Sequence, residues 1–141
     1  MDVEKLKESI LKAGKGLFRA LPLILTTILL VSLISTLIPK SFYTTFFSQN
    51  IWIDSLIGSF VGSISAGNPV TSYIFGGELL KQGVGILAVT AFLVAWVTVG
   101  IIQLPAESTI LGKKFAILRN LTAFILAIVV AIITTLILGV I

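Results

Sequence analysis

The residue pattern predicts an all-α integral membrane protein with three to four transmembrane helices, some of them broken or re-entrant, preceded by an amphipathic N-terminal helix. Three observations lead there. First, 57% of the 141 residues are hydrophobic and 11% are charged, whereas soluble domains carry ~25% charged residues and need polar groups for the surface that folding leaves exposed. Second, Ala20–Ile38 and Leu121–Ile141 carry no charge, and at ~1.5 Å per residue either run is long enough for a ~30 Å hydrocarbon core. Third, the apolar segments between them are interrupted by glycine and proline.

The chain divides into an interfacial helix, 1–19, and a membrane domain, 20–141. Val3, Leu6, Ile10 and Leu11 fall at helical spacing, with Lys5, Lys7, Glu8, Lys12 and Lys15 around the rest. That pattern suits a helix lying in the headgroup region; a solvated helical lead-in is the other reading. Five of the ten Lys and Arg residues lie in the first nineteen positions and dominate the net charge of +4. They read as a membrane-surface feature, because a nucleic-acid footprint needs a polar domain to carry it. The basic start is long and amphipathic and the first apolar run lacks a small-residue cleavage site at its end, so the first hydrophobic helix is expected to be retained.

Gly14 and Gly16 are expected to loosen the chain before the first span, Ala20–Ile38. Pro22 falls in the first turn of that span, where a missing N–H costs little, and Pro39 marks its end. Residues 40–50 form a polar-aromatic connection whose rings, Phe42, Tyr43, Phe46 and Phe47, suit the headgroup level. The second apolar segment, Ile51–Ala66, carries Ser55, Gly58, Ser59, Gly62, Ser63, Ser65 and Ala66. Its Gly58-x-x-x-Gly62 pair makes a face that another helix can approach closely.

Gly67-Asn68-Pro69 then breaks the pattern, and Val70–Leu80 is too short to span. A discontinuous or re-entrant helix follows from that, since freed backbone groups in lipid must face protein or water; a simple cytoplasmic loop is the alternative. Val84–Leu104 is long enough to cross, and Leu121–Ile141 is the last span. Basic residues near the membrane prefer the cytoplasm. Four plain crossings put six basic residues inside and four outside, whereas a broken hairpin over residues 84–112 gives nine and one. The hairpin is preferred, with its turn near Thr98 and Gly100, although no proline lies there and a straight span is the rival. The protein is therefore expected in the cell membrane, multi-pass, with its N-terminus cytoplasmic.

Cysteine and histidine are absent, which removes disulfides, thiolate nucleophiles, imidazole bases and the usual zinc or copper ligands. There is no phosphate-binding loop and no pair of carboxylates on one helix. Neither an enzyme, a cofactor nor a metal site is expected. Ionisable and amide groups at membrane depth are costly and therefore candidates for function: Asp54, Asn68, Glu78, Lys81, Gln103 and Glu107. Asp54 fits an interfacial or helix-dipole role as well as a transport role. Glu78 and Lys81 form a surface pair at i, i+3. Asn68 opens a short helix, where its amide can contact a solute and can cap the backbone, and the two roles are compatible. Gln103 and Glu107 flank Pro105 on one face, and Glu107 is the candidate for proton or cation coupling. The candidate solute-binding set is thus Asn68, Ser65, Thr71, Gln103 and Glu107. The helix breaks are Gly67, Pro69, Gly100 and Pro105, and the packing pair is Gly58 and Gly62.

Four stretches resemble one half of the predicted-permease family that includes organoarsenical efflux permeases. They are Gly67-Asn68-Pro69, Gly77-Glu78-Leu79-Leu80-Lys81-Gln82-Gly83-Val84, Ala91-Phe92-Leu93 and Gly112-Lys113-Lys114-Phe115-Ala116-Ile117-Leu118-Arg119. The resemblance runs from Gly62 onward and so covers just over half of the chain. Since members of that family mostly contain two such halves, the resemblance implies a half-size permease that works as a homodimer in the lipid bilayer and moves an unidentified small solute or ion. Two departures matter. The organoarsenical permeases place a cysteine at the first break, and Ser65-Ala66-Gly67-Asn68 has none, so thiol ligation of arsenic is not implied. Relatives break after Ala-Phe-Leu at Gly-Pro and Asn-Pro, whereas Val94–Ile102 offers only Gly100, which displaces the second break toward Pro105. The alternative to transport is a scaffold or assembly subunit that binds another membrane protein through its small-residue helix face.

Overall fold

In the computed structural model, which describes residues 3–47, 50–65 and 67–139, the regular structure is α-helical throughout. The described residues form α1 (Val3–Leu37), α2 (Lys40–Phe46), α3 (Ile51–Ile64), α4 (Pro69–Lys81), α5 (Ile86–Thr98), α6 (Leu104–Leu111) and α7 (Lys113–Ile137). Two of these, α1 and α7, are long and apolar enough to cross a membrane.

The expected division between an interfacial helix and a first span is not marked by any break. α1 runs for 35 residues straight through Gly14, Gly16 and Pro22. Proline removes one donor, the one that would reach the carbonyl of Phe18, but a helix with bonds on either side tolerates that loss. The Thr26 and Thr27 hydroxyls donate back to the carbonyls of Pro22 and Leu23, each at 2.8 Å. Pro22 is thus internal to α1 rather than in a first turn. Pro39 does end the helix, because the residue before a proline is pushed out of the α region, and it begins α2. The predicted connection is therefore partly helical, with Phe42 and Phe46 stacked one turn apart at 4.7 Å between centroids. Ser48 and Gln49 of that connection lie outside the described residues, as do Ala66 of the second apolar segment and Ile141 of the last span.

Small residues decide the packing. Gly58 and Gly62 of α3 meet α5 so closely that a Cβ on either would collide with backbone, the Ala88 carbonyl for Gly58 and the Phe92 carbonyl for Gly62. On the α5 side Ala88, Ala91 and Ala95 are buried, spaced to present one face. α7 completes the layer with Ala116, Ala127, Ala131 and Thr135, all fully buried. Leu87 and Ala91 pack against Ala131, and Ala95 and Val99 against Ala127. α5 is thus the central helix, with α3, α4 and α7 against it, while α6 rests on α7 and α4 also touches α1. Tyr43 and Phe47 close one side over Val84, Ala88 and Val89.

The end of α4 explains a segment that the sequence alone marks only by its order of residues. Gly83 takes a left-handed φ of 93°, its N–H donates to Leu80 at 3.0 Å, and Val84 donates to Leu79 at 3.0 Å. This pair of bonds is a Schellman cap. Its usual apolar partner contact is present too, since Leu79 packs on Val84. Leu-Leu-Lys-Gln-Gly-Val is therefore a helix terminator.

Among the described residues, Ser59 Oγ is the one buried side-chain polar atom without a hydrogen-bond partner. A buried hydroxyl left unpaired costs roughly 1–3 kcal/mol. Ser59→Ala is accordingly expected to raise stability by about 1 kcal/mol, read as a later unfolding midpoint in a denaturing-detergent titration; a loss would mean that the hydroxyl has a partner.

Candidate functional site

Two interruptions of the helices come together. At the first, α3 stops at Ile64, the chain turns extended at Ser65 and again at Asn68, and α4 starts at Pro69. Asn68 Oδ1 accepts from Val70 N at 2.9 Å and its carbonyl accepts from Thr71 N at 2.9 Å. Proline at the first helical position sacrifices no bond. Of the two readings of Asn68, the structure realises the cap, and the side chain is exposed.

At the second, α5 ends at Thr98 although the apolar run continues to Leu104. Val97, Thr98 and Val99 are β-branched and Gly100 follows, all weak helix formers. What stabilises the interruption lies twenty residues away. Gly100 N donates to Asn120 Oδ1 at 2.7 Å, so a donor freed by the break is satisfied by a side chain of α7. The Asn120 amide donates to Glu107 Oε2 at 2.9 Å and to the Ala116 carbonyl at 3.0 Å. Arg119 Nη1 donates to the other carboxylate oxygen, Glu107 Oε1, at 2.6 Å. Asn120 is buried, and every polar atom of its side chain is thereby used. α6 then begins with Leu104 and Pro105, and Glu107 N bonds the Gln103 carbonyl at 2.9 Å. Gly112, at φ 88°, turns α6 into α7. Residues 84–112 are therefore not a straight helix, and α6 packs on α7 rather than back along α5.

The two breaks share one cavity of about 110 Å³. Ser63, Ser65, Gly67 and Pro69 line it from the first break, and Gly100, Ile102 and Gln103 from the second, with Trp96 and Arg119 completing the wall. Cross-links between the breaks are direct: Ile101 N to the Ser63 carbonyl at 3.4 Å, and Trp96 Nε1 to the Gly67 carbonyl at 3.4 Å.

The sequence candidates separate accordingly. Ser65 and Gln103 line the cavity, together with the break residues Gly67, Pro69 and Gly100. Asn68 and Thr71 sit in the capping turn of α4 and are not part of the wall, and Pro105 lies in the first turn of α6. Glu107 stands one residue behind the wall and reaches it through Arg119. Asp54 is buried in the first turn of α3, a place that suits a partner of the helix dipole. Glu78 and Lys81 pair at 3.5 Å, and Glu78 also accepts from the Gln82 amide at 2.9 Å. Sequence reasoning missed Asn120, an uncharged amide that lies just before the apolar run Leu121–Ile141. Its signal was the spacing Ala116, Asn120, Ala127, Ala131, Thr135, which puts the amide on the small-residue face.

Among the described residues no group of three or more His, Cys, Asp or Glu gathers as metal ligands would. The predicted permease family matches the chain over residues 11–139. The chain belongs to that family. No curated protein and no solved structure matches it. The region matched by the permease family includes both breaks, the cavity and the Glu107–Arg119–Asn120 cluster, well beyond the stretches that carry the resemblance in the sequence. Membership in a permease family points to membrane transport rather than catalysis.

Proposed function

We propose that this chain is a half-size permease that works as a homodimer in the cell membrane, with its N-terminus cytoplasmic, and passes a small solute or ion through the cavity between its helix breaks. The observation that carries this reading is the convergence of Gly67–Pro69 and Gly100–Gln103 on one polar-walled space. Non-helical backbone at membrane depth is stable only against protein or water, and discontinuous helices meeting at one point are how transporters house a solute. The lipid environment is supported by α1, only 11% of whose most apolar stretch is buried; the core helix of a soluble protein would be mostly covered. On this reading residues 20–141 form the membrane domain, α3–α4 and α5–α6 are broken helices whose interruptions lie at membrane depth, and Ser65 and Gln103 contact the solute, with Glu107 holding Arg119 behind the wall. The scaffold alternative loses its support, because the Gly58 and Gly62 face is filled by α5 of the same chain.

The absence of cysteine makes a clean test available. Ser65→Cys and Gln103→Cys, introduced singly and assayed in membrane vesicles, are expected to react with a water-soluble maleimide, while Ser59→Cys, buried between helices, is expected to stay unlabelled. Failure of both cavity positions to react would remove the solute path. The particle mass in lipid nanodiscs reads the dimer: a value matching one chain overturns that part.

A further inference from the structure

The wall of the cavity holds a single charged side chain, and it is a cation. Among the described residues, the wall besides Arg119 consists of Ser63, Ser65 and Thr98, the Gln103 amide, Trp96, apolar groups and backbone, with no carboxylate among them. The nearest acid, Glu107, is 18% exposed and has both oxygens engaged, one by Arg119 and one by Asn120. Asn120 is itself fixed by Gly100 N and the Ala116 carbonyl. The carboxylate is thus a buttress that holds the guanidinium from behind.

Arg119 has donors to spare. A guanidinium carries five N–H groups in a planar fork suited to two oxygens of one anion. Among the described residues one of them goes to Glu107, and 41% of the side chain is exposed. An ion in the cavity meets the guanidinium before the carboxylate, and the nearer charge dominates at short range. Size narrows the class further. A space of about 110 Å³ is well below the ~300–1,000 Å³ of pockets for drug-sized molecules, and suits a polyatomic ion of a few heavy atoms.

The geometry points to a small oxyanion, of sulfate or phosphate size, as the solute that this cavity binds. Arg119 is the recognition residue, the Gln103 amide supplies a further donor, and Glu107 and Asn120 are positioning residues, while the Ser65 hydroxyl donates to the Val61 carbonyl at 2.7 Å. The assignment rests on the reading of the cavity as the solute path, but its test can fail separately.

The probe is inorganic sulfate, titrated against the purified full chain in maltoside micelles free of phosphate, with sodium chloride at matched ionic strength as reference. Sulfate is expected to raise the unfolding temperature saturably and chloride is not. In the Arg119→Gln/Glu107→Gln double variant, which removes the ion pair without stranding a charge, the sulfate affinity is expected to fall at least tenfold. Arg119→Lys, which keeps the charge and loses the fork, is expected to weaken binding several-fold while leaving the fold intact. No saturable response in the wild type overturns the assignment, as does an unchanged response in either variant or a response to methylammonium in place of sulfate. Phosphatidylglycerol added to the micelles separates the two sources of an oxyanion: competition with sulfate would place a lipid headgroup there and overturn the solute assignment. If Ser65→Cys and Gln103→Cys label while sulfate does not bind, only the oxyanion is lost and the permeation path stands.

Discussion

Replacing Gly62 by leucine is expected to lower the stability of the protein by about 3 kcal/mol, at the upper end of the cost of overpacking a tight interior. The reason lies in what a side chain would meet. A Cβ at Gly62 would fall on the Phe92 carbonyl oxygen and within 3.0 Å of both Ala95 Cβ and Trp96 N. Two of those three atoms are backbone, so no rotamer change relieves the collision and α3 must move away from α5. That separation also withdraws Ser63 from Ile101, and with it one of the links between the two breaks. Gly77→Ala is the matching control: nothing lies within 4 Å of the added methyl, and glycine to alanine in a helix is worth up to about 1 kcal/mol in favour of the variant. Unfolding midpoints in mixed micelles of rising dodecyl sulfate content measure both. A Gly62→Leu protein as stable as the Gly77→Ala protein would refute the close approach of α3 and α5.

The second large effect is expected at Asn120. Asn120→Leu keeps the approximate volume but takes their partner from Gly100 N and one oxygen of Glu107 in a partly buried place. An unpaired buried group costs roughly 1–3 kcal/mol, and more when it is charged, so a loss of about 3 kcal/mol is expected. The effect should also be local. Maleimide labelling at Gln103→Cys should change in rate in the Asn120→Leu background, because the turn that presents it has lost its anchor, while labelling at Ser9→Cys in the exposed part of α1 should not. Asn120→Asp separates the two bonds: its carboxyl oxygen still accepts from Gly100 but the amide donor to Glu107 is lost, so the break keeps its anchor while the link to α6 goes. An Asn120→Leu protein with unchanged stability and labelling would remove the amide from its place as the tie between break and helix.

Most of the helical plan was legible in the residues because it depends on local chemistry. Uncharged length marked α7 and the apolar part of α1, and Asn68-Pro69 marked the start of α4 through a cap and a proline that act within one turn. The Gly58 and Gly62 face was readable as a packing surface, although the residues could not say that its partner is α5 of the same chain. The continuity of α1 was not readable, since Gly14, Gly16 and Pro22 are each weak helix residues and only their neighbours decide whether the ladder carries through. The second break was placed near Gly100 by charge counting, yet its cause is Asn120, whose bond to Gly100 joins residues far apart in the chain. Periodicity within a segment carries no information about such a bond. The same holds for the cavity: Ser65 and Gln103 are candidates as polar residues near breaks, whereas Arg119 enters the sequence reading only through the count of basic residues and the stretch Gly112–Arg119, not as a site residue.

The unbroken course of α1 has a mechanical corollary. At ~1.5 Å per residue its 35 residues make a rod of about 52 Å, longer than the ~30 Å apolar slab it would cross. On the proposed membrane reading, a helix that kept one axis could not both pierce the slab and lie flat along its surface, so the lysine-bearing end would stand off as an outrigger. Any change in inclination of the embedded turns would then appear, magnified by the length of the lever, as sideways travel of Lys5 and Lys7.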